Sequence, residues 1–148
     1  MYEFLEYRVL DVMSRPAVTI VPSTSLREVE ALFEAHDFNA LPVVGDEGEL
    51  VGIVSKLDLL RAFRFTDESL FPPYEEIMGR PAETVMRRRP ETVRERTPLT
   101  RVLERMIETR HKSFPVVDEH HVIGMVARED VLRGLRRAVA GEKPTTPI

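Results

Sequence analysis

The sequence contains no cysteine and no tryptophan. The first absence removes disulfides, thiolate nucleophiles and Cys-ligated zinc from consideration, and it is compatible with a reducing cytosol. No apolar run reaches the ~20 residues a membrane-spanning helix needs, so no membrane partner is expected. The opening residues Met1-Tyr2-Glu3-Phe4 show no basic stretch followed by an apolar one. No secretory signal is therefore read there, and a cytoplasmic location is expected. A Gly-rich phosphate loop, a Ser-His-Asp set and paired catalytic carboxylates are also missing, so there is no reason to expect an enzyme. The 4 histidines (His36, His111, His120, His121) come without supporting carboxylate spacing, and no metal is expected.

What is present is an ordinary globular composition. The 148 residues are 43% apolar and 31% charged, which suits one compact domain built from two half-domains. The net charge is −4, unevenly spread: residues 1–70 hold 6 basic and 13 acidic side chains, residues 71–148 hold 15 and 12. This reads as a mixed solvated surface, the alternative being attraction between opposite halves in an assembly. Arg87-Arg88-Arg89 and the set Arg133, Arg136, Arg137 have no interleaved aromatics. They read as solvated faces, and nucleic acid is not the expected partner.

The chain also repeats itself. Leu41-Pro42-Val43-Val44 returns 73 residues later as Phe114-Pro115-Val116-Val117, and Val12-Met13 returns as Val85-Met86. Gly52-Ile53-Val54-Ser55-Lys56-Leu57-Asp58 returns 72 residues later as Gly124-Met125-Val126-Ala127-Arg128-Glu129-Asp130. Two copies are too few for a solenoid and suit a pseudo-symmetric pair.

Each copy reads as strand, helix, strand, strand, helix. Val18 to Val21 is a short β-branched run ended by Pro22. Ser25-Leu26-Arg27-Glu28 is a capping-box pattern, and Leu26, Val29, Leu32 and Phe33 form a helical stripe. Ala40 to Val44 and Leu50 to Val54 are strands about a Gly45-Asp46-Glu47-Gly48 turn; Leu57, Leu60 and Phe63 mark a second helix. In the second copy Thr92-Val93 opens, and Thr97-Pro98 is expected to cap a helix whose stripe is Leu99, Val102, Leu103, Met106 and Ile107. Ser113–Val117 and Val122–Val126 are strands about a turn at Asp118 to His121, and Val131, Leu132 and Leu135 mark the closing helix. Tyr2 to Met13 is expected to be a helix docked on the core. Phe71-Pro72-Pro73-Tyr74 interrupts regular structure, its aromatics serving as packing or as a lid. The divisions are residues 1–64 (first repeat with N-terminal helix), 65–81 (connector), 82–140 (second repeat) and 141–148 (flexible tail).

The Pro-Val-Val strand, the Gly-apolar-Val-x-x-x-Asp segment and the doubled element order together resemble the CBS domain family, over residues 8 to 139. The whole chain looks like a tandem CBS pair, or Bateman module. The resemblance implies an α+β fold: two pseudo-symmetric β-α-β-β-α repeats packed through their sheets, with two clefts. It implies adenosyl ligands there (AMP, ADP, ATP or S-adenosylmethionine) and assembly as a homodimer. It also implies that each cleft draws its Ser/Thr-x-x-Asp segment from one copy and the residues before Pro-Val-Val from the other.

The stronger cleft is expected around Ser55, Lys56 and Asp58, with Ile53 on the strand before them. A carboxylate can accept a hydrogen bond from each hydroxyl of a ribose diol, which suits Asp58 to ribose better than to phosphate. A helix N-terminus beside it favours anions. Capping of the following helix is the competing reading of Ser55-x-x-Asp58. Opposite would stand Arg110, His111, Lys112, Ser113, Phe114 and Pro115, whose basic members could pair with phosphate; a solvated helix end is the other reading. Thr92 and Val93 would line the adenine pocket. The weaker cleft would use Asp130, Met125 and Ala127 with Thr19, Ile20, Phe38, Asn39, Ala40 and Pro42. Ala127 lacks the hydroxyl of Ser55, and Asp37 replaces a base, so phosphate is disfavoured there.

The expected function is thus a non-catalytic, homodimeric sensor of an adenine nucleotide or adenosyl compound, acting on a separate, unidentified protein partner. The alternatives are a structural dimer with empty clefts and a nucleic-acid-binding protein.

Overall fold

Two valine-rich hairpins, each preceded by a helix with one apolar face, organise two compact units. The computed structural model describes residues 2–67 and 73–144. One unit comprises residues 18–90; the other comprises residues 1–17 together with 91–148.

In the 18–90 unit, α1 (Leu26–Ala35) starts where the Ser25 hydroxyl accepts the Glu28 N–H at 3.2 Å. Its Leu26, Val29 and Phe33 bury with Leu41, Val43 and Val54 of an antiparallel hairpin, β1 (Ala40–Val44) and β2 (Leu50–Ser55). The short α2 (Lys56–Arg61) follows β2 directly. Then α3 (Tyr74–Met78) adds Ile77 and Met78 to the same core. β3 (Arg87–Arg88) joins the edge of β2, with Arg87 opposite Ile53 and Arg88 opposite Gly52.

The other unit repeats this plan with α4 (Leu99–Thr109), β4 (Ser113–Asp118), β5 (His121–Ala127) and α5 (Arg128–Val139). Its core joins Leu99, Val102 and Met106 to Phe114, Val116, Val126 and Val131. Phe4, Tyr7, Val9 and Val12 complete it from the start of the chain. β4 and β5 are joined through Glu119 and His120, both at positive φ (46° and 75°), as a tight two-residue hairpin with right-handed strand twist requires.

The arm ahead of each repeat is bonded in the same way. Ala82 N–H donates to Thr24 C=O at 2.7 Å and Glu83 N–H to Pro22 C=O at 3.0 Å. Their counterparts are Val9 N–H to Thr97 C=O and Leu10 N–H to Glu95 C=O, both 3.0 Å. Ser14 bridges Met125 as Arg87 pairs with Ile53. Each arm therefore belongs to the unit that holds the other repeat's hairpin.

Several local expectations change. The N-terminal helix is instead two 3-10 turns, Tyr2–Glu6 and Val9–Asp11, separated where Arg8 turns extended (φ −124°, ψ 167°) and bridges Pro98. The two opening strands shrink to single parallel bridges, Ile20 with Val43 and Val93 with Val116. Proline explains this. Extending the first bridge would need N–H groups from Pro42 or Pro22, and extending the second backwards would need one from Pro115. Thr97 does not cap α4: its hydroxyl accepts the Arg94 N–H at 3.0 Å, and Pro98 holds the N-cap position. α2 forms, but it buries Asp58 and Leu59 and leaves Leu57 and Leu60 exposed. Tyr74 stacks on Phe63 with ring centroids 5.6 Å apart; Phe71 lies outside the described residues, as does the tail from residue 145.

Candidate functional site

The junction of β2 and α2 turns the chain so that residue 58 faces inward. Asp58 is only 2% exposed. Its Oδ2 accepts the Ser55 N–H at 2.8 Å and the Ser55 hydroxyl at 2.9 Å. The same hydroxyl accepts the Asp58 N–H at 3.1 Å, closing a reciprocal cap. The capping reading of this segment is thus correct as local structure. It does not compete with a binding role, because the cap is what fixes the carboxylate in place.

Two arginines complete the environment. Arg87 Nε donates to Oδ2 and Arg61 Nη1 to Oδ1, both at 3.3 Å. A carboxylate has about four lone-pair sites. Asp58 accepts three donors at Oδ2 and one at Oδ1, so these sites are filled by Ser55, Arg87 and Arg61. A cavity of about 370 Å³ opens beside this carboxylate, lined by Asp58, Arg61, Arg80, Thr84, Val85 and Arg87.

Arg87 is therefore not a plain solvated residue of the Arg87-Arg88-Arg89 run; it is an ion-pair partner of the buried Asp58. The second basic set changes in the same way. Arg133 donates to Val12 C=O at 2.7 Å and to Asp130 Oδ1 at 2.8 Å. Arg137 donates to Asp11 C=O at 3.2 Å and lies over the Tyr7 ring. Both arginines pin the N-terminal arm. Arg136 is exposed.

The remaining expected residues divide between the units. With Asp58 lie Ile53, buried on β2, and Lys56, whose ammonium sits 5.8 Å from the Phe33 ring centre. The same unit holds Thr19, Ile20, Phe38, Asn39, Ala40 and Pro42. Ala40 pairs with Ser55 and Pro42 with Ile53 in the hairpin. Thr19 is exposed, Ile20 is buried, and Phe38 stacks on His36.

The other unit holds Asp130, Met125 and Ala127 together with Thr92, Val93 and 110–115. Asp130 Oδ2 accepts the Ala127 N–H at 2.8 Å, with no hydroxyl to add a second bond. Val93 and Phe114 are core residues, Ser113 and Pro115 pair with Ala127 and Met125, and Thr92 is exposed. Arg110 ends α4 in the left-handed conformation (φ 63°), and its carbonyl accepts from Arg128. His111 packs edge-on against Phe114 and lies 3.8 Å from Glu91. Lys112 is exposed.

Sequence reasoning missed Arg61, Arg80, Thr84 and Arg87. The available signal was positional: the residue just after Val-Met, Arg87, pairs with Ile53, the residue after the strand glycine and two residues before the capping Ser55. Among the described residues no group of three or more His, Cys, Asp or Glu forms a metal site, and no helix is long and apolar enough to cross a membrane.

The CBS domain family model matches residues 9–64 and 82–137. Inosine-5'-monophosphate dehydrogenase of Escherichia coli K12 is 36% identical over 119 residues, 80% of this chain and 22% of that protein. L-aspartate semialdehyde sulfurtransferase of Methanocaldococcus jannaschii is 29% identical over 126 residues, 84% and 22% respectively. The chain thus spans about a fifth of the length of these curated relatives. Among solved structures, CBSX2 in complex with AMP superimposes with a TM-score of 0.76 at 30% identity, covering 90% of this chain and 98% of that one. The CBS domain pair of protein MJ0100, in complex with 5'-methylthioadenosine and S-adenosyl-L-methionine, gives 0.71 at 28% identity, covering 91% and 97%.

Proposed function

The chain belongs to the CBS domain family, and from that premise we propose that it is a regulatory, non-catalytic module that binds an adenine nucleotide or adenosyl ligand. The observation that carries this reading is Asp58: a carboxylate buried at 2% exposure, aimed by Ser55 and bordering a cavity. Burying a charge is costly unless it is paired, and an acceptor held this firmly matches a vicinal diol. The ligands seen with CBSX2 and with the MJ0100 pair, AMP and adenosyl compounds, supply that diol on a ribose.

In this reading Ser55 and Asp58 hold the ribose of the stronger cleft, in the 18–90 unit. Asp130 serves a weaker one. A ligand that binds one conformation better than another shifts the population toward it, and that shift is the signal. The signal passes through a homodimer to a separate protein partner. An apolar groove on α4 and α5, with Ile107 and Leu132 exposed, supports an interface on that face.

Titration calorimetry with AMP and 2'-deoxy-AMP tests the proposal. A hydrogen bond to a charged group is worth about 1.5–3 kcal/mol, so the deoxy form should bind at least ~10-fold more weakly. Equal affinity would remove the role given to Asp58.

A further inference from the structure

We infer that the Asp58 cavity selects a phosphate-bearing ligand over a neutral or cationic adenosyl compound, because Arg61, Arg80 and Arg87 line it with surplus positive charge. This rests on the nucleotide reading above and names the ligand class of the same site. The cavity lining carries three arginines and a single carboxylate. Glu76 pairs with Arg80 at 3.4 Å on the exposed side.

The arginines are placed to move. The side chains of Arg61, Arg80 and Arg87 are 53%, 44% and 44% exposed, whereas that of Asp58 is 2% exposed. When ribose hydroxyls occupy the carboxylate, the displaced guanidinium groups keep their charge and stay beside the cavity, facing whatever the ribose carries at its 5' position. A phosphate offers them bidentate, charge-assisted bonds. A sulfonium, as in S-adenosylmethionine, meets like charge instead.

The other unit supplies an internal control. The residue after Val-Met there is Ser14, where Arg87 stands in the first unit; both face the same strand position, Met125 or Ile53. At the 73-residue offset, Tyr7 replaces Arg80 and Asp11 replaces Thr84. Asp130 keeps one arginine, Arg133, and that one is also tied to Val12 C=O. The Asp130 position therefore lacks the surplus charge, and the preference for phosphate belongs to Asp58 alone.

The test is calorimetric titration of adenosine, AMP and S-adenosylmethionine into the full chain in an Asp130→Asn background, so that one site is read. AMP should bind at least ~10-fold tighter than adenosine, and S-adenosylmethionine weaker than adenosine. Arg80→Gln and Arg87→Gln should each weaken AMP binding about 3- to 10-fold more than they change adenosine binding, while Arg101→Gln, an exposed residue of α4, changes neither. Added salt should weaken AMP binding and not adenosine binding. Thermal unfolding of each variant confirms that it is folded. Equal affinities for the three ligands, or arginine variants that weaken adenosine as much as AMP, would overturn the inference while leaving the nucleotide reading intact. Adenosine binding indifferent to Asp58→Asn, or no binding by any of the three, would overturn both.

Discussion

A methyl group at Gly124 would lie 2.5 Å from the Ser14 carbonyl oxygen, which is backbone and cannot yield cheaply. Gly52 is in the same position against Met86 and the Arg87 carbonyl. Both glycines are there because an arm from the other repeat's sequence pairs at that spot. Gly124→Ala should destabilise the protein by about 1–3 kcal/mol, the usual cost of overpacking. Gly79→Ala, where the nearest atoms are an ordinary 3.5 Å away, should be near neutral. Denaturant midpoints for the two variants check this; equal shifts would contradict it. At this scale the sequence already marked Ser55, Asp58 and both strand glycines. It did not mark Arg87, because its partner is 29 residues away and its neighbours Arg88 and Arg89 are exposed. Only the β2–β3 register singles it out.

Among the elements, the β4–β5 hairpin carries an avoidable cost. Glu119 and His120 both occupy the left-handed region, which disfavours residues with a Cβ by about 1–2 kcal/mol each. Replacing the pair with Asn-Gly should raise the unfolding midpoint, with a gain of about 1 kcal/mol, since that dipeptide prefers this turn. A lowered midpoint would show that the side chains there make contacts the turn geometry does not reveal. Helix and strand placement was largely legible, since periodicity and turn residues act locally. α1, α4, α5 and both hairpins stand within a few residues of expectation. The opening strands were legible as extended chain but not as single bridges. What limits them is the prolines of the strand they join. The N-terminal segment was read as apolar and docked. Its division into 3-10 turns follows from the bridge between Arg8 and Pro98, which no local pattern announces.

For the whole molecule, the repeat offset foretold two units but not their composition. Residues 1–17 fold with 91–148, and 18–90 fold together, so sequence repeats and compact units are cut at different places. The α4–α5 groove, about 360 Å³ with Leu132 59% exposed, is the face proposed for self-association. Leu132→Glu should convert a dimeric sedimentation mass to a monomeric one; an unchanged mass would move the interface elsewhere. The two repeats should bind unequally, because Ser55 and Arg87 bond to Asp58, while Ala127 offers Asp130 no hydroxyl and Ser14 stands at the position of Arg87. Calorimetric titration of AMP into Asp58→Asn and Asp130→Asn tests it most directly. Binding should be at least ~10-fold weaker in the first variant and little changed in the second. Equal losses, or a greater loss for Asp130→Asn, would contradict it.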